Sequence, residues 1–218
     1  MSMVGRLNTN EHGDLKWRAR QFVEDFDLID AWALPATGTL AEFDDLYQIM
    51  VNMDPGDDRA SPASRALFAV RACLGQRLGW DAEQVVNRLA IPGCIESSLR
   101  DRLPPDLAAR LGETSDQSHF RSVFMIEDEA VLELSNSLVH AVLHLGWVRR
   151  SNGEYQGQLG VYVKHRGRAG APYMAAIAPF RHHVVYPALL RRIESDWAAR
   201  STDPSSTALA ADDAASVT

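Results

Sequence analysis

A short block near the C-terminal end contains Arg181, His182 and His183, the residue types in this chain best suited to chemistry. Histidine can take up or release a proton near neutral pH, and arginine can pair with a carboxylate or an anionic ligand. Much earlier, Asp30 and Trp32 share one strand parity in an apolar stretch. A carboxylate that points inward must be hydrogen-bonded, paired or protonated, and such groups often act as acids or bases. The candidate catalytic residues are therefore Asp30 and His182.

Each candidate also has a structural interpretation. If the strand parity shifts, Asp30 is exposed or caps the edge of a sheet instead of pointing inward. Arg181 could pair with a carboxylate of the segment 127–129, in which case His182 and His183 pack against neighbours or contact water. The sequence leaves these interpretations open.

The segment 173–178 is rich in alanine, and small residues beneath a long helix leave the space that a cavity needs. Close packing of the helix on the sheet, with no void, is the alternative. If the cavity exists, aromatic, apolar and basic side chains from several elements are expected to contact the ligand. These are Trp32, Trp147, Tyr173, Ile177, Arg181 and Tyr186.

His140 and His144 raise the question of a metal site, because residues four apart share a face of a helix. The segment 138–148 alternates like a strand, however, and residues four apart on a strand are separated by about 13 Å, too far for one ion. Its other parity is wholly apolar and should face the core. We therefore predict no metal, and we expect both histidines on the exposed face.

The order of the elements predicts the fold. A strand at 22–34 precedes a helix that begins at the capping box Thr39–Glu42 and a second helix from Ser61 to Gly79. An irregular connection at 81–119 follows. Further strands are predicted at 122–127, 130–135, 138–148, 155–165 and 173–178. The closing helix has one apolar stripe, formed by Val185, Leu189, Ile193 and Trp197.

Strands grouped apart from helices indicate an α+β fold rather than alternating parallel units. The predicted architecture is a helix grip, in which a curved antiparallel sheet of about six strands surrounds a long C-terminal helix, with two shorter helices after the first strand. Residues 1–20 are predicted to be a polar extension and 21–200 a single domain. Residues 201–218 are predicted to be a disordered tail, because they contain almost no bulky apolar side chain.

Three stretches resemble a bacterial family of domains of unknown function, which occurs alone and fused behind NAD(P)-binding Rossmann domains of the epimerase type. The stretches are Leu28–Trp32, Ile126–Leu134 and Tyr173–His182, and the Pro-Phe-Arg-His run is the most specific part. The resemblance covers about residues 22–197 and implies a shape similar to helix-grip proteins such as START domains and polyketide cyclases. Family members usually have Gly-Arg directly before the tyrosine of the last strand, whereas four residues separate Arg168 from Tyr173 here.

The composition limits the partners. A formal net charge of -7 argues against nucleic acid and anionic membranes, since either would require a clustered basic face. No apolar run approaches the length of a membrane span, and no Gly-x-Gly-x-x-Gly motif supports nicotinamide binding, so we predict no cofactor. Two cysteines, Cys73 and Cys94, and a polar N-terminal segment without the apolar core of a signal peptide indicate a cytoplasmic protein with reduced thiols.

The sequence thus predicts a protein that binds a small apolar molecule and that could cyclise or isomerise a biosynthetic intermediate. The alternative is a non-catalytic carrier, or a docking module for a partner enzyme; a homodimer is also compatible. An internal cavity beside an inward Asp30 favours the first function. A filled core with an exposed apolar patch favours the second.

Overall fold

The computed structural model describes residues 4–53, 98–112, 120–135, 139–166 and 170–200. A six-stranded sheet lies at its centre, with the strand order β1-β2-β6-β5-β4-β3, and every neighbouring pair is antiparallel. The strands are β1 (Gly5–Arg6), β2 (Asp27–Gly38), β3 (Arg121–Met125), β4 (Glu129–Ser135), β5 (Val139–Arg149) and β6 (Tyr155–His165).

The helices are α1 (Thr9–Gly13), α2 (Phe43–Val51), α3 (Pro105–Ala108), α4 (Gly170–Phe180) and α5 (Tyr186–Arg200). A π-helical segment, Arg181–Val185, joins α4 to α5, so one helical run extends from residue 170 to residue 200. The prediction of an α+β fold is confirmed, with a curved six-stranded antiparallel sheet, a long C-terminal helix and a shorter helix after the first long strand. The second predicted helix at 61–79, the tail at 201–218 and both cysteines lie outside the described residues.

The chain leaves β2 and enters α2 at the predicted capping box. The Glu42 carboxylate accepts a hydrogen bond from the Thr39 backbone N–H at 2.6 Å, and the Thr39 side chain accepts one in return. α2 then buries an apolar face whose members are spaced at helical intervals: Phe43, Leu46, Tyr47, Met50 and Val51. At the other end of the chain, Arg200 Nη2 donates to Glu42 Oε1 at 2.6 Å and ties α5 to the start of α2.

The face of the sheet beneath α2 and α5, called the helix face below, carries the main apolar core. Leu145 of β5 and Leu159 of β6 lie in this core with Ile193 and Trp197 of α5. Trp197 is 7% exposed, and its ring centroid lies 5.7 Å from that of Trp147. The apolar stripe of the last helix therefore packs on the sheet as predicted.

The opposite face, called the outer face below, is also covered, which the sequence analysis does not predict. A second apolar cluster forms where the N-terminal segment crosses this face, and it contains Trp17, Phe22 and Phe26 together with Phe124 of β3 and Tyr162 of β6. The segment before residue 21, predicted to be an extension, is thus packed against the sheet and contributes β1 to its edge.

The strand predicted at 173–178 is wrong, because this segment is the middle of α4. Three of its six residues are alanine and one is methionine, and both types are strong helix formers. The sixth strand is instead the two-residue β1 at the other end of the chain. The first long strand also begins later than predicted, at Asp27 rather than Phe22, because Phe22 and its neighbours pack across the outer face.

Tight turns join two of the pairs of consecutive strands. The Ile126 N–H donates to the Glu129 carbonyl at 2.8 Å, which closes the turn between β3 and β4. Between β5 and β6, Gly153 adopts a φ of 90°, a conformation that glycine tolerates without strain. These turns fix the register of the β3–β4 and β5–β6 pairs.

Candidate functional site

A β-bulge in β2 turns Asp30 toward the helix face. Leu28 pairs with Tyr162 of β6. The next pair in the ladder joins Asp30 to Val161, so Ile29 and Asp30 together oppose a single residue. The extra residue changes the parity of the strand, because Leu28 packs in the outer cluster whereas Asp30 contacts the C-terminal helical run. Asp30 is fully buried, as its predicted inward orientation requires.

Two of the groups that meet Asp30, Arg181 and His182, come from the π-helical segment, which begins two residues after Pro179, and a third, Tyr186, follows it directly. Proline has no N–H to donate, so the regular α-helical ladder is interrupted at the entry to this segment. The Tyr186 N–H donates to the Arg181 carbonyl five residues back, which is the π-helical bond. The wider turn brings Tyr186 over Arg181 and places His182 beside them.

Asp30 is the centre of a polar cluster, called the Asp30 cluster below, that also contains Arg6, Arg181, His182 and Tyr186. Arg181 Nε donates to Asp30 Oδ2 at 3.0 Å, and Arg181 Nη2 lies 2.9 Å from the same oxygen. The Tyr186 hydroxyl donates to Oδ2 at 2.9 Å. On the other oxygen, Oδ1, His182 Nε2 lies at 2.7 Å and Arg6 Nη2 at 3.4 Å. Within the described chain, all of these partners are side chains.

The Asp30 cluster is closed to solvent at the carboxylate and open at the histidine. The Asp30 side chain is 0% exposed, whereas that of His182 is 24% exposed. His182 Nε2 is occupied by Asp30, and the other ring nitrogen, Nδ1, has no hydrogen-bond partner in the described part of the chain. That nitrogen is therefore available to a molecule that approaches from solvent.

An aromatic wall lies beside the cluster. The Tyr186 ring is nearly parallel to the His182 ring, with centroids 6.0 Å apart, and it lies 4.7 Å from the Trp32 ring. Burial, and then the negative charge of Asp30, raise the pKa of the Tyr186 hydroxyl far above its usual range. Tyr186 is therefore a neutral hydrogen-bond donor that holds the Asp30 carboxylate in place.

Among the six predicted ligand-contacting residues, Arg181 and Tyr186 bind Asp30, and Trp32 packs beside Tyr186. Tyr173 and Ile177 are half-buried on α4, and Tyr173 packs at the border of the main core. No contact joins these two side chains to Asp30 within the described residues.

Trp147 belongs to the packed core rather than to the Asp30 cluster. Its indole N–H donates to the Thr39 carbonyl at 2.9 Å, and its ring stacks on that of Tyr155 with centroids 6.4 Å apart. It also borders an open groove of about 280 Å³ at the other side of the sheet, beside Trp17 and Arg149.

Comparison with known protein families gives one match. The family described as "Protein of unknown function (DUF2867)" matches residues 22–188, which is most of the chain. The chain belongs to the DUF2867 family. Among curated proteins and solved structures, none matches the chain. The matched span includes Asp30, Arg181, His182 and Tyr186, whereas Arg6 lies before it.

In this DUF2867 chain, the outer face holds a second set of buried polar groups. His140 and His144 lie on the predicted parity of β5, but they are only 1% and 0% exposed. The expectation that they are exposed is wrong, because the N-terminal segment covers them. The Trp17 ring lies 4.8 Å from the His144 ring, and the Phe26 ring lies 5.0 Å from the His140 ring.

Each of these histidines contacts a buried glutamate of β4, and we call the two contacts the Glu–His pairs. His144 Nε2 lies 3.0 Å from Glu129, and His140 Nε2 lies 3.2 Å from Glu133. Each glutamate also accepts backbone N–H groups where a 3-10 helix begins. Two N–H groups at the start of the helix at 18–21 donate to Glu129 at 2.7 Å, and one from Leu99 donates to Glu133 at 2.9 Å.

One Glu–His pair continues into a longer chain of contacts. His144 Nδ1 lies 2.7 Å from His12 Nε2, and His12 Nδ1 lies 2.8 Å from Gln158 Oε1. Burial, and then the charge of His144, lower the pKa of His12 to about 3, so this imidazole is neutral near pH 7. Gly160 makes room for it, because a Cβ at that position would lie 2.4 Å from His12 Nε2.

Sequence reasoning missed Arg6, His12 and the structural role of Glu129. One signal was available: Gly146 and Gly160 share the outer parity of β5 and β6, and a glycine within a strand marks the close approach of another segment. A Cβ at Gly146 would lie 2.5 Å from the Trp17 ring. Arg6 carried no such signal, because its contact with Asp30 depends on a two-residue strand.

The described residues contain no cluster of three or more His, Cys, Asp or Glu side chains that could hold a metal ion. In the same residues, no helix is long and apolar enough to cross a membrane. The predictions of no metal, no cofactor and a cytoplasmic location stay predictions.

Proposed function

We propose that the protein binds a small, largely apolar molecule at the Asp30 cluster and transfers a proton on it, as an isomerase or cyclase does. The observation that carries the proposal is the geometry of His182. One ring nitrogen is fixed by a fully buried carboxylate at 2.7 Å, and the other faces solvent beside aromatic side chains. A base held in one orientation next to an apolar wall is what proton abstraction from carbon requires.

The proposed step needs no cofactor. His182 Nδ1 takes a proton from a carbon next to a carbonyl group, and the electron pair of the C–H bond moves to the carbonyl oxygen and forms an enolate. The imidazolium then returns the proton to a different carbon. In a cyclisation, the enolate carbon instead attacks a second carbonyl carbon of the same molecule, the π electrons of that C=O bond move to its oxygen, and the imidazolium gives its proton to the resulting alkoxide. In the isomerisation the proton and the electrons balance without an oxidant or reductant.

The role of Asp30 in this proposal is to position His182 rather than to accept the proton itself. Both carboxylate oxygens are already occupied by Arg181, Tyr186, His182 and Arg6. An acceptor at His182 Nε2 keeps that nitrogen protonated, which leaves the lone pair on Nδ1. The sequence predicts Asp30 to act as an acid or base. In this proposal Asp30 instead orients His182 and stabilises the positive charge that His182 gains with the proton.

A second candidate function, a carrier or docking module, is favoured by a different observation. α4 carries small apolar residues that are exposed to solvent, namely Ala171, Pro172, Ala175, Ala176 and Pro179. A homodimer or a partner enzyme could cover this face. The resemblance to helix-grip proteins and to domains fused behind epimerase-type Rossmann domains is compatible with either function.

The test uses 5-nitrobenzisoxazole, a neutral aromatic probe from which a base removes one C–H proton while the N–O bond breaks and a coloured phenolate forms. We expect the protein to accelerate this elimination above the rate with the same concentration of free imidazole. His182→Gln should reduce the rate by about 10²-fold or more, since a positioned base contributes about 10²–10⁴-fold.

His183→Gln is the matched control, because His183 is the neighbouring histidine and is exposed. Its rate should equal that of the unmodified protein. If the protein gives no acceleration, or if His182→Gln keeps the full rate, the proton-transfer function is wrong and the docking function takes its place.

A further inference from the structure

Two hydrogen-bond donors next to Asp30 are buried and lack an acceptor. Arg181 Nη1 and Trp32 Nε1 have no hydrogen-bond partner among the residues that the structure describes. Trp32 is 8% exposed and the Arg181 side chain 15%, so solvent has little access to either group. Most buried donors in folded proteins are paired, and each exception calls for a specific explanation.

Two other indole groups of the core have an acceptor. Trp17 Nε1 donates to the His12 carbonyl, and Trp147 Nε1 donates to the Thr39 carbonyl, both at 2.9 Å. These two tryptophans are satisfied by backbone oxygens. Trp32, which lies beside the Asp30 cluster, has no such acceptor among the described residues.

The two unpaired donors lie in the same part of the helix face, one on a residue that binds Asp30 and the other on a residue beside Tyr186. Trp32 lies two residues after Asp30 on the helix face of β2, and its ring packs 4.7 Å from the Tyr186 ring. The Tyr186 hydroxyl and the Arg181 guanidinium both bind Asp30 Oδ2. Trp32 therefore lies beside Tyr186, and both Tyr186 and Arg181 bind Asp30.

The charge of the cluster favours a negative ligand. Two guanidinium groups, of Arg6 and Arg181, lie within 3.4 Å of one carboxylate, so the cations exceed the anion by one before His182 is counted. Arg181 uses Nε and Nη2 on Asp30, which leaves Nη1 as the donor that can bind something else. Charge-assisted bonds from arginine to an oxyanion are among the stronger hydrogen bonds in proteins.

We propose that Arg181 Nη1 and Trp32 Nε1 bind an anionic oxygen of the ligand. This inference rests on the proposed function at the same site and names its substrate class: an apolar carbonyl compound whose oxygen becomes negative when His182 removes a proton. The two donors stabilise that enolate oxygen as an oxyanion hole does. Apolar carboxylates are stable mimics, because they carry the same charge on an oxygen of the same size.

The probe that tests this inference is benzoate, and benzamide is its neutral control. In ¹H–¹⁵N NMR spectra each tryptophan gives a separate indole N–H signal, and Trp32→Phe assigns the signal of Trp32. We expect benzoate to move the Trp32 signal downfield in a saturable manner, while the signals of Trp17 and Trp147 stay in place. Benzamide should bind at least 10-fold more weakly.

Two variants separate binding from folding. Trp32→Phe removes the unpaired N–H and replaces the indole by a smaller ring, so it should weaken benzoate binding by about 10-fold, the loss of one hydrogen bond to a charged group, and lower the urea midpoint only by the cost of the smaller side chain. Trp147→Phe, which loses a paired N–H, should lower the midpoint and leave benzoate binding unchanged. Arg181→Met should abolish benzoate binding.

The inference is overturned if benzoate does not move the Trp32 signal, or if Trp32→Phe binds benzoate as well as the unmodified protein does. This outcome differs from failure of the proposed function, because benzoate binding needs no turnover. A Trp32 signal that responds to benzoate in a protein whose His182→Gln variant keeps full eliminase activity supports the anion site and rejects only the proton transfer.

Discussion

Both faces of the sheet bury a carboxylate next to a histidine, yet the two arrangements differ in whether the carboxylate binds backbone groups and in the exposure of the histidine. On the outer face, Glu129 and Glu133 bind backbone N–H groups at the starts of two 3-10 helices, and their histidines are at most 1% exposed. On the helix face, Asp30 binds only side chains within the described residues. His182 is 24% exposed there, and two neighbouring donors lack partners.

The difference teaches that a buried carboxylate–histidine contact does not by itself identify a functional site. Where a carboxylate binds backbone groups and its histidine is inaccessible, the pair fixes one segment of chain to another. Where the carboxylate binds only side chains and the histidine is partly exposed and keeps a free nitrogen, the pair can act on another molecule. The outer face is therefore interpreted as structural and the helix face as the candidate functional site.

The largest effect is expected for Glu129→Ala. The substitution leaves His144 and two backbone N–H groups buried without an acceptor, so unfolding should become easier by about 3–5 kcal/mol, as for other broken buried pairs. Urea denaturation measures this change. Glu127→Ala is the control, because the Glu127 side chain is 68% exposed and its nearest cation, Arg110, lies 3.8 Å away. Equal stability of the two variants would remove the structural interpretation of the outer face.

A second prediction concerns pH and His12. The pKa of His12 is about 3 in the folded protein and about 6.5 in an unfolded chain, so between these values only the unfolded chain binds the extra proton. The stabilisation is complete above pH 6.5 and is lost as the pH falls toward 3. Because His12 takes up one proton on unfolding, we expect the free energy of unfolding to fall by about 1.4 kcal/mol for each pH unit below pH 6.5 in this window.

His12→Leu isolates this contribution to the pH dependence. The free energy of unfolding is measured between pH 5 and pH 6.5. Its slope against pH should be smaller in the variant than in the unmodified protein, and the difference should correspond to the binding of about one proton. The carboxylates with lowered pKa, such as Asp25 with a pKa of about 2, contribute to stability loss at lower pH and do not obscure the comparison. Equal slopes in the two proteins would show that His12 is not held neutral.

The smallest effect is expected for Asp25→Asn, at the rim of the outer face. The Asp25 carboxylate lies 2.7 Å from Arg102 and 3.0 Å from Lys164, but the side chain is 42% exposed. Exposed ion pairs contribute little, so the variant should lose less than about 1 kcal/mol at pH 7. A loss as large as that of Glu129→Ala would mean that exposure does not distinguish rim pairs from the buried Glu–His pairs.

Much of the helix face could be predicted from the sequence. The period of the last helix, the capping box and the parity of Asp30 with Trp32 are local patterns, and each leads to the observed contact. The π-helical turn was not predicted, although Pro179 and Pro187 flank it in the sequence. That Leu28 and Asp30 lie on opposite faces of the sheet was not predicted. The bulge that separates them adds a residue to the strand and leaves no pattern in the side-chain types.

The outer face was predicted poorly because its contacts join distant parts of the chain. His12 meets His144 across 132 residues, and Ala19 meets Glu129 across 110. A period-two pattern shows which face a side chain occupies but not what covers that face. The strand predicted at 173–178 failed for a related reason: an alanine-rich segment fits both periods, and only its tertiary contacts decide between them.

The most direct test of the difference between the two faces is the urea midpoint of His144→Gln measured against that of His182→Gln. Glutamine cannot contact His12 and Glu129 as the buried imidazole of His144 does, so this variant should lose about 2 kcal/mol or more. His182 is partly exposed, and its variant should stay within about 1 kcal/mol of the unmodified protein. If His182→Gln is the more destabilised of the two, the Asp30–His182 pair is structural and the assignment of the two faces is wrong.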